Sequence, residues 1–221
     1  TDFLSRAKAQ GYAVPDLAFR NALANLRNQV NYAPDFSSET NGGGEALAYA
    51  LMVLAREGAA AVGDLRYYVD VKGDAFATPT AQAQLGAALA SYGDQPRADA
   101  MFRRAANALD ALSGPDLEQV FRVDYGTNYR DAAAVLTLAV EAGSDAVDRE
   151  ALTDRIATSG TLSTQEATWA LLAANALIDR KGAEGITIDG APATGPLIKV
   201  LDANSITPVV VGNNSGADTT L

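Results

Sequence analysis

The chain has no cysteine and no histidine in its 221 residues. The first absence excludes disulfides, thiolate metal sites and a cysteine nucleophile; the second removes the commonest general base and any Ser-His-Asp relay. No run of 18 apolar residues occurs, which is the length a membrane-spanning helix needs, and the first residues lack the basic-then-apolar layout of a signal peptide. Positive charge is also scarce. Lys and Arg number 17 against 27 Asp and Glu, giving a net charge of −10 and a pI near 4.4. A mean field of that sign opposes binding to nucleic acid or to an anionic membrane surface, so neither is expected as a partner. Aromatics make up only 7 %, with one Trp, so a core must rely on close packing of small side chains.

What remains is rich in Ala and Leu, 48 % hydrophobic and 20 % charged, the composition of a globular chain. Apolar periodicity near 3.6 predicts about nine helices between residues 2 and 181. One series comprises 2–11, 45–58, 81–93, 130–143 and 168–182, each Ala/Leu-rich and ending at Gly11, Gly58, Gly93, Gly143 or Gly182. Glycine suits the left-handed position just past a helix. The other series comprises 15–30, 62–72, 94–112 and 146–160 and is amphipathic, with stripes such as Phe19, Leu23, Leu26 and Val30, or Ala98, Met101, Phe102, Ala105 and Leu109. The helices at 45–58, 81–93, 130–143 and 163–181 carry almost no charge away from their ends, so they are expected to be buried on most sides. The terminal glycines are 47, 35, 50 and 39 residues apart, too irregular for a strict repeat solenoid. An inner layer of apolar helices backed by amphipathic ones, as in an α/α toroid, accounts for the alternation.

Charges agree with these helices. Asp16, Glu45, Asp64, Asp131 and Glu166 fall in first turns, where a carboxylate complements the helix dipole, and Pro15 and Pro96 fall at early positions. Loop 31–44 is polar and glycine-rich, and segment 113–128 contains VFRV, a short strand or crossing element. From about residue 183 the pattern changes to β-branched runs at 185–190, 196–202 and 208–213, read as three strands. The chain therefore divides into a helical part, 1–182, and a β segment, 183–221. Three strands alone make a poor domain, so pairing with other sequence or packing on the helices is expected.

Candidate chemistry is sparse. Carboxylates in the mouth of an α/α barrel could serve a glycoside hydrolase, and Asp70, Asp74, Asp124 and Glu166 are the candidates. Helix capping and loop solvation account for them better, because no clusters of Trp and Tyr for sugar stacking accompany them. Trp169, spaced with Leu172, Ala173 and Ala176, reads as core packing. The NGGG run at 41–44 precedes a helix but lacks the Lys of a phosphate loop, so it reads as linkage. Beside Arg66, Tyr68 falls on the Leu65–Val69 face, which leaves Tyr67 as the surface aromatic. No calcium loop is present. No catalytic residue, cofactor or metal site is expected.

Several segments together resemble the thioester-domain region of bacterial alpha-2-macroglobulins, which are complement-like. They are TDFLSRAKAQGYAVPD (1–16), GGEALAYALMVLAREG (43–58), AVGDLRYYVD (61–70), FATPTAQAQLGAALASYGD (76–94) and STQEATWALLAANALID (163–179). The resemblance covers nearly the whole chain, in order. It implies an α/α toroid set within a β-sandwich domain of a large protease-trapping inhibitor. In that family a bait cleavage exposes a Cys–Gln thioester that acylates the attacker. With no Cys here, that motif maps to no position. Thr1 enters a helix part-way, so the chain is expected to start downstream of the motif, and the alternative is a thioester-free branch of the family. A non-catalytic structural role follows, with target proteases met through the parent protein, the β segment returning to the flanking β-sandwich, and a periplasmic, membrane-anchored parent. This region itself makes no membrane contact in that reading. An α/α-barrel carbohydrate-active enzyme and a helical-repeat binding module are the alternatives.

Overall fold

The alternation of apolar and amphipathic segments becomes two layers. The computed structural model describes residues 1–36, 44–111, 124–157, 160–179, 186–192 and 208–214. Among these the helices are α1 (Asp2–Ala9), α2 (Asp16–Asn31), α3 (Glu45–Arg56), α4 (Val62–Asp70), α5 (Pro79–Ala90), α6 (Gln95–Ala111), α7 (Asn128–Glu141), α8 (Arg149–Ile156) and α9 (Thr164–Asp179). The odd helices pack side by side in the order α1, α3, α5, α7, α9. The even ones lie against them: α2 on α3, α4 on α5, α6 across α5 and α7, and α8 on α7.

Burial separates the layers. Helix α7 is buried continuously from Arg130 to Val140, and α5 is buried from Pro79 through Gly86 and again at Ala88 and Leu89. Both can be enclosed because their side chains are small, which lets backbones approach. At Gly86 a Cβ would stand 3.1 Å from the Phe102 ring and 3.2 Å from the Ala98 carbonyl oxygen, so the glycine sets the α5–α6 spacing. Helix α6 inserts Ala98, Met101, Phe102, Ala105 and Leu109 from one stripe, the one its sequence shows.

Gly11, Gly58, Gly93 and Gly143 take φ of 83°, 65°, 75° and 67°, ending their helices as the sequence implies. Gly182 and the strand expected at 196–202 lie outside the described residues. Several starts differ from expectation: α7 and α9 begin earlier than read, at Asn128 and Thr164, and α8 later, at Arg149. Helix α5 begins at Pro79, because the Thr78 hydroxyl accepts from the Ala81 amide at 3.2 Å. Pro15 is the residue before α2 rather than a helical one. Helix α9 departs further. Although as apolar as α3 and α5, it buries Ala173 and Ala176 but leaves Leu171 at 71 % and Ile178 at 44 % exposure, since among the described residues α7 is the inner helix it packs against closely.

Helix α1 belongs to the inner series by order but is held differently. Only Ser5 is buried. Its attachments are polar: Ser5 Oγ donates to Glu57 at 2.6 Å, Lys8 Nζ to Glu57 at 2.9 Å, Arg6 to Glu141 at 2.6 Å, and Asp2 receives Arg56 and the Tyr49 hydroxyl.

Near the C-terminus, β1 (Ile186–Ile188), β2 (Ala191–Pro192) and β3 (Val211–Asn213) form an antiparallel sheet in the order β2-β1-β3. The β1–β2 turn is Asp189–Gly190 with φ of 49° and 82°, the pair of positive values a tight two-residue hairpin demands. Strand β2 falls outside the runs read from sequence, whereas β1 and β3 fall within theirs.

Phe102→Ala should cost about 3–5 kcal/mol in denaturant unfolding, because the ring is fully buried under a backbone that cannot close in. The polar attachment of α1 should weaken with salt. At about 1 M salt, hydrogen exchange at residues 5–9 should accelerate relative to 0.1 M while that of α7 stays unchanged, and equal protection at both would contradict this account of α1.

Candidate functional site

The carboxylates that could have served hydrolysis fall in two separate places. Asp70 ends α4 and accepts from Arg97 of α6 at 3.0 and 3.1 Å in a forked pair. Asp74, in the short 3-10 turn Gly73–Ala75, pairs with Arg104 of the same helix. That guanidinium draws the Asp74 carboxyl below its ordinary value. Both are outer-layer clamps between α4 and α6.

Asp124 and Glu166 lie instead at the starts of α7 and α9. Ser163, just ahead of α9, accepts the Glu166 amide at 3.3 Å, and Glu166 returns the bond by accepting the Ser163 amide at 2.7 Å. This is a reciprocal capping box spelled S-x-x-E. The second Glu166 oxygen accepts from the Thr127 hydroxyl at 2.6 Å. Thr127 is itself the cap of α7, taking the Arg130 amide at 3.1 Å. One threonine thus ties the N-termini of α7 and α9 together. The Thr127 hydroxyl and the Ser163 amide hold the Glu166 carboxyl below its ordinary value of 4.5. A general acid needs the opposite shift.

Beneath these caps is a buried polar chain. Asp124 pairs with Arg130, whose Nε stands 3.0 Å from Asp131 Oδ1, and Asp131 also accepts the Thr80 hydroxyl at 2.7 Å. Asp131 is fully buried and Arg130 nearly so. The chain joins α5 to α7 and then to the segment before α7, while Gln165 of α9 donates to the Asp124 carbonyl at 3.3 Å. Each of the four candidate carboxylates is therefore occupied by a structural partner. Among the described residues, no group of Asp and Glu is arranged to hold a metal.

The remaining candidates resolve in the same direction. Of the NGGG run only Gly44 is described; a Cβ there would collide with the Phe36 ring and lie 2.9 Å from Phe76, so aromatic packing fills the space beside it. Residues 41–43 lie outside the described residues. Tyr68 is half-buried with its ring 6.2 Å from Phe76, whereas Tyr67 is 49 % exposed, as its spacing indicates. Trp169 packs against the core as expected, but it also borders an opening that the sequence does not announce.

That opening is a cleft of about 900 Å³. Its walls are Leu26 and Val30 of α2 with Ala33 just beyond it, and Thr168, Trp169 and Leu172 of α9, and its floor includes Thr80 and Gln84 of α5. The first turns of α3, α5, α7 and α9 border it, so the positive ends of four helix dipoles face it, offset by Glu45 and Asp124. Gln84 is 5 % exposed and has no hydrogen-bond partner among the described residues. The signal in the sequence was faint: three polar residues, Thr80, Gln82 and Gln84, inside an otherwise apolar helix.

Thr127→Val should cost about 1–2 kcal/mol of unfolding free energy, since it removes a helix cap and a charge-assisted bond together. The pH dependence has a definite sign. Because folding lowers the Glu166 pKa, its contribution is complete above the unfolded value and is lost as pH falls through the depressed one. Glu166→Gln should therefore flatten the stability profile between about pH 5 and pH 3, measured by urea titrations across that range; a parallel offset at every pH would exclude this role.

Comparison with known proteins places the chain. No family model matches it. The alpha-2-macroglobulin of Escherichia coli K12 is 32 % identical over 193 residues, covering 82 % of this chain and 11 % of that protein. The crystal structure of Salmonella alpha-2-macroglobulin reacted with methylamine matches 96 % of this chain and 13 % of its own, at 26 % identity and a TM-score of 0.66. The E. coli alpha-2-macroglobulin activated by porcine elastase matches 96 % of this chain and 18 % of its own, at 26 % identity and a TM-score of 0.64. The chain thus spans about a tenth of the length of the E. coli relative. With order, sequence and fold in agreement along most of its length, it belongs to the bacterial alpha-2-macroglobulin family.

Proposed function

We propose that this chain is a non-catalytic structural region of a protease-trapping inhibitor, an arc of the helical toroid that scaffolds the inhibitor's thioester. The observation that carries the reading is the state of the carboxylates: Asp70, Asp74, Asp124 and Glu166 each hold an arginine, a threonine or a helix cap, and none faces a second carboxylate as an acid–base pair requires. The side-by-side inner helices with exposed apolar residues on α9 suit an arc whose ring is completed by further helices. The relatives support the inhibitor role. The Salmonella protein reacts with methylamine, and the E. coli protein is activated by elastase.

In this reading residues 1–182 form the toroid part and 183–221 return to a flanking β-sandwich of the same polypeptide, with β2 and β3 as the sheet edges available for pairing. Target proteases are met through the parent protein. The reactive thioester lies outside these residues, since they contain no cysteine. The periplasm, with a membrane-anchored parent, is the compartment that goes with such an inhibitor.

The parent polypeptide, purified and treated with elastase or trypsin, should retain the protease in a complex and incorporate a labelled primary amine upon cleavage. Absence of both retention and incorporation would remove the covalent trapping role. The 221-residue chain alone should show neither, and should leave polysaccharides unhydrolysed.

A further inference from the structure

We propose that this region is kept poor in nucleophilic amines, by arginine in place of lysine and by ion-paired ammonium groups, so that the parent's acylating group modifies an attacking protease and not its own scaffold. The inference rests on the reading of the chain as part of a thioester inhibitor. It adds a rule of specificity to that reading, namely which of the inhibitor's own side chains must not react.

The cations carry the argument. Of the 17 basic residues, 13 are Arg and 4 are Lys. Pairing geometry alone does not call for that choice. Where a guanidinium grips a carboxylate through two nitrogens, as Arg97 grips Asp70, lysine is no substitute. Several surface pairs are simpler. Arg20 meets Asp16 at 2.9 Å and Arg66 meets Asp94 at 3.0 Å, each through one nitrogen, and Arg155 meets Asp110 in the same way. An ammonium would serve such contacts equally well. Arg103, exposed on α6, has no ion pair or hydrogen bond among the described residues. What separates the two residue types at these positions is nucleophilicity. A guanidinium stays protonated in proteins, whereas an unperturbed lysine, with a pKa near about 10.4, holds on the order of one part in a thousand as free amine at neutral pH.

The described lysines are held in the unreactive form. Lys72 donates to Asp35 at 2.8 Å, and the hydrogen bond and charge of that carboxylate push the Lys72 ammonium up. Lys8 donates to Glu57 at 2.9 Å and lies over the Phe19 ring, 5.3 Å from its centre. Lys181 and Lys199 lie outside the described residues.

The chemistry at stake is the one the Salmonella relative undergoes with methylamine, a primary amine; a lysine side chain is the same nucleophile on a tether. A free lysine nitrogen on the scaffold would attack the acyl carbon, and the carbon–sulfur bond would break. The sulfur would leave as the thiolate and take up the proton that the nitrogen sheds. The products are an amide within the molecule and a thiol, with no acyl group left for the protease. An internal amine competes at an effective concentration that a diffusing protease does not match.

The test uses the purified parent polypeptide in its natural sequence and with Arg20→Lys or Arg103→Lys, surface positions on α2 and α6 where the exchange keeps the charge. After elastase treatment, peptides from residues 1–221 are mapped by mass spectrometry for an amide to the acyl segment. The natural parent should give protease conjugates and no internal amide at Lys8 or Lys72. At least one substituted parent should form the internal amide at its substituted position and lose conjugate yield severalfold. Internal amides at Lys8 or Lys72 of the natural parent, or none at either substituted position, would overturn the proposal. Asp35→Asn removes the Lys72 partner alone, so a small thioester such as S-phenyl thioacetate should acylate Lys72 severalfold faster in that variant; an unchanged rate would overturn the shielding by Asp35. Labelled methylamine keeps the two ideas apart. A parent that takes up none on cleavage refutes the thioester reading, whereas one that takes it up and leaves the introduced amines untouched keeps that reading and refutes this inference.

Discussion

The contact between α5 and α7 is the one on which the other elements depend. Both helices are enclosed almost all round, and the enclosure is possible because alanines at 81, 83, 88, 132, 133, 134 and 139 keep the surfaces shallow. Dispersion contacts between closely spaced backbones then replace the large rings that this sequence lacks. The seam is not entirely apolar: the Thr80–Asp131 bond at 2.7 Å lies within it. Two smooth alanine surfaces can slide along one another at little cost, whereas a buried carboxylate with a single well-placed hydroxyl has one favourable register. Helix α6 straddles the seam from outside and locks it with Phe102.

From that seam the structure grows outward by further burial, as in α3 with Leu47, Leu51 and Leu54, and by polar joints. Thr127 and Glu166 couple the beginnings of α7 and α9, and Arg97 and Arg104 clamp α4 and its following turn to α6. At the other end of the layer α1 is attached by ion pairs and Ser5. The elements at the margins, α1 and α9, expose apolar surface such as Phe3 and Leu171, whereas α5 and α7 expose no large apolar side chain.

The same joints account for the partners of the four carboxylates that could have suggested chemistry, Asp70, Asp74, Asp124 and Glu166. An acid–base pair needs carboxylates whose environments push their pKa values apart. At Asp74 and Glu166 both environments push downward, through Arg104 in one case and through Thr127 and Ser163 in the other. Carboxylates of this kind orient helices. They do not carry protons at neutral pH.

Most helices were legible because their determinants are local. Gly11, Gly58, Gly93 and Gly143 end helices through backbone conformations that glycine adopts most readily, and the stripe on α6 states its buried face directly. The strand read at 185–190 runs through what the structure makes a turn at Asp189–Gly190, and β2 beyond it is not read, since two residues hold no periodicity. The S-x-x-E box at Ser163–Glu166 is written in the sequence, but its bond to Thr127 is not, because those residues are 39 positions apart. Likewise nothing in the composition of α9 separates it from α5. The sequence by itself determined which segments are helical, where they stop and which side chains are apolar enough to be buried. Tertiary structure alone decided that α9 has one neighbour of the inner layer where α5 has two, that the acidic residues are spent on caps and clamps, and that Gln84 stands unpartnered beneath a cleft. Those outcomes depend on what lies across from a residue, and a one-dimensional pattern specifies only what lies beside it.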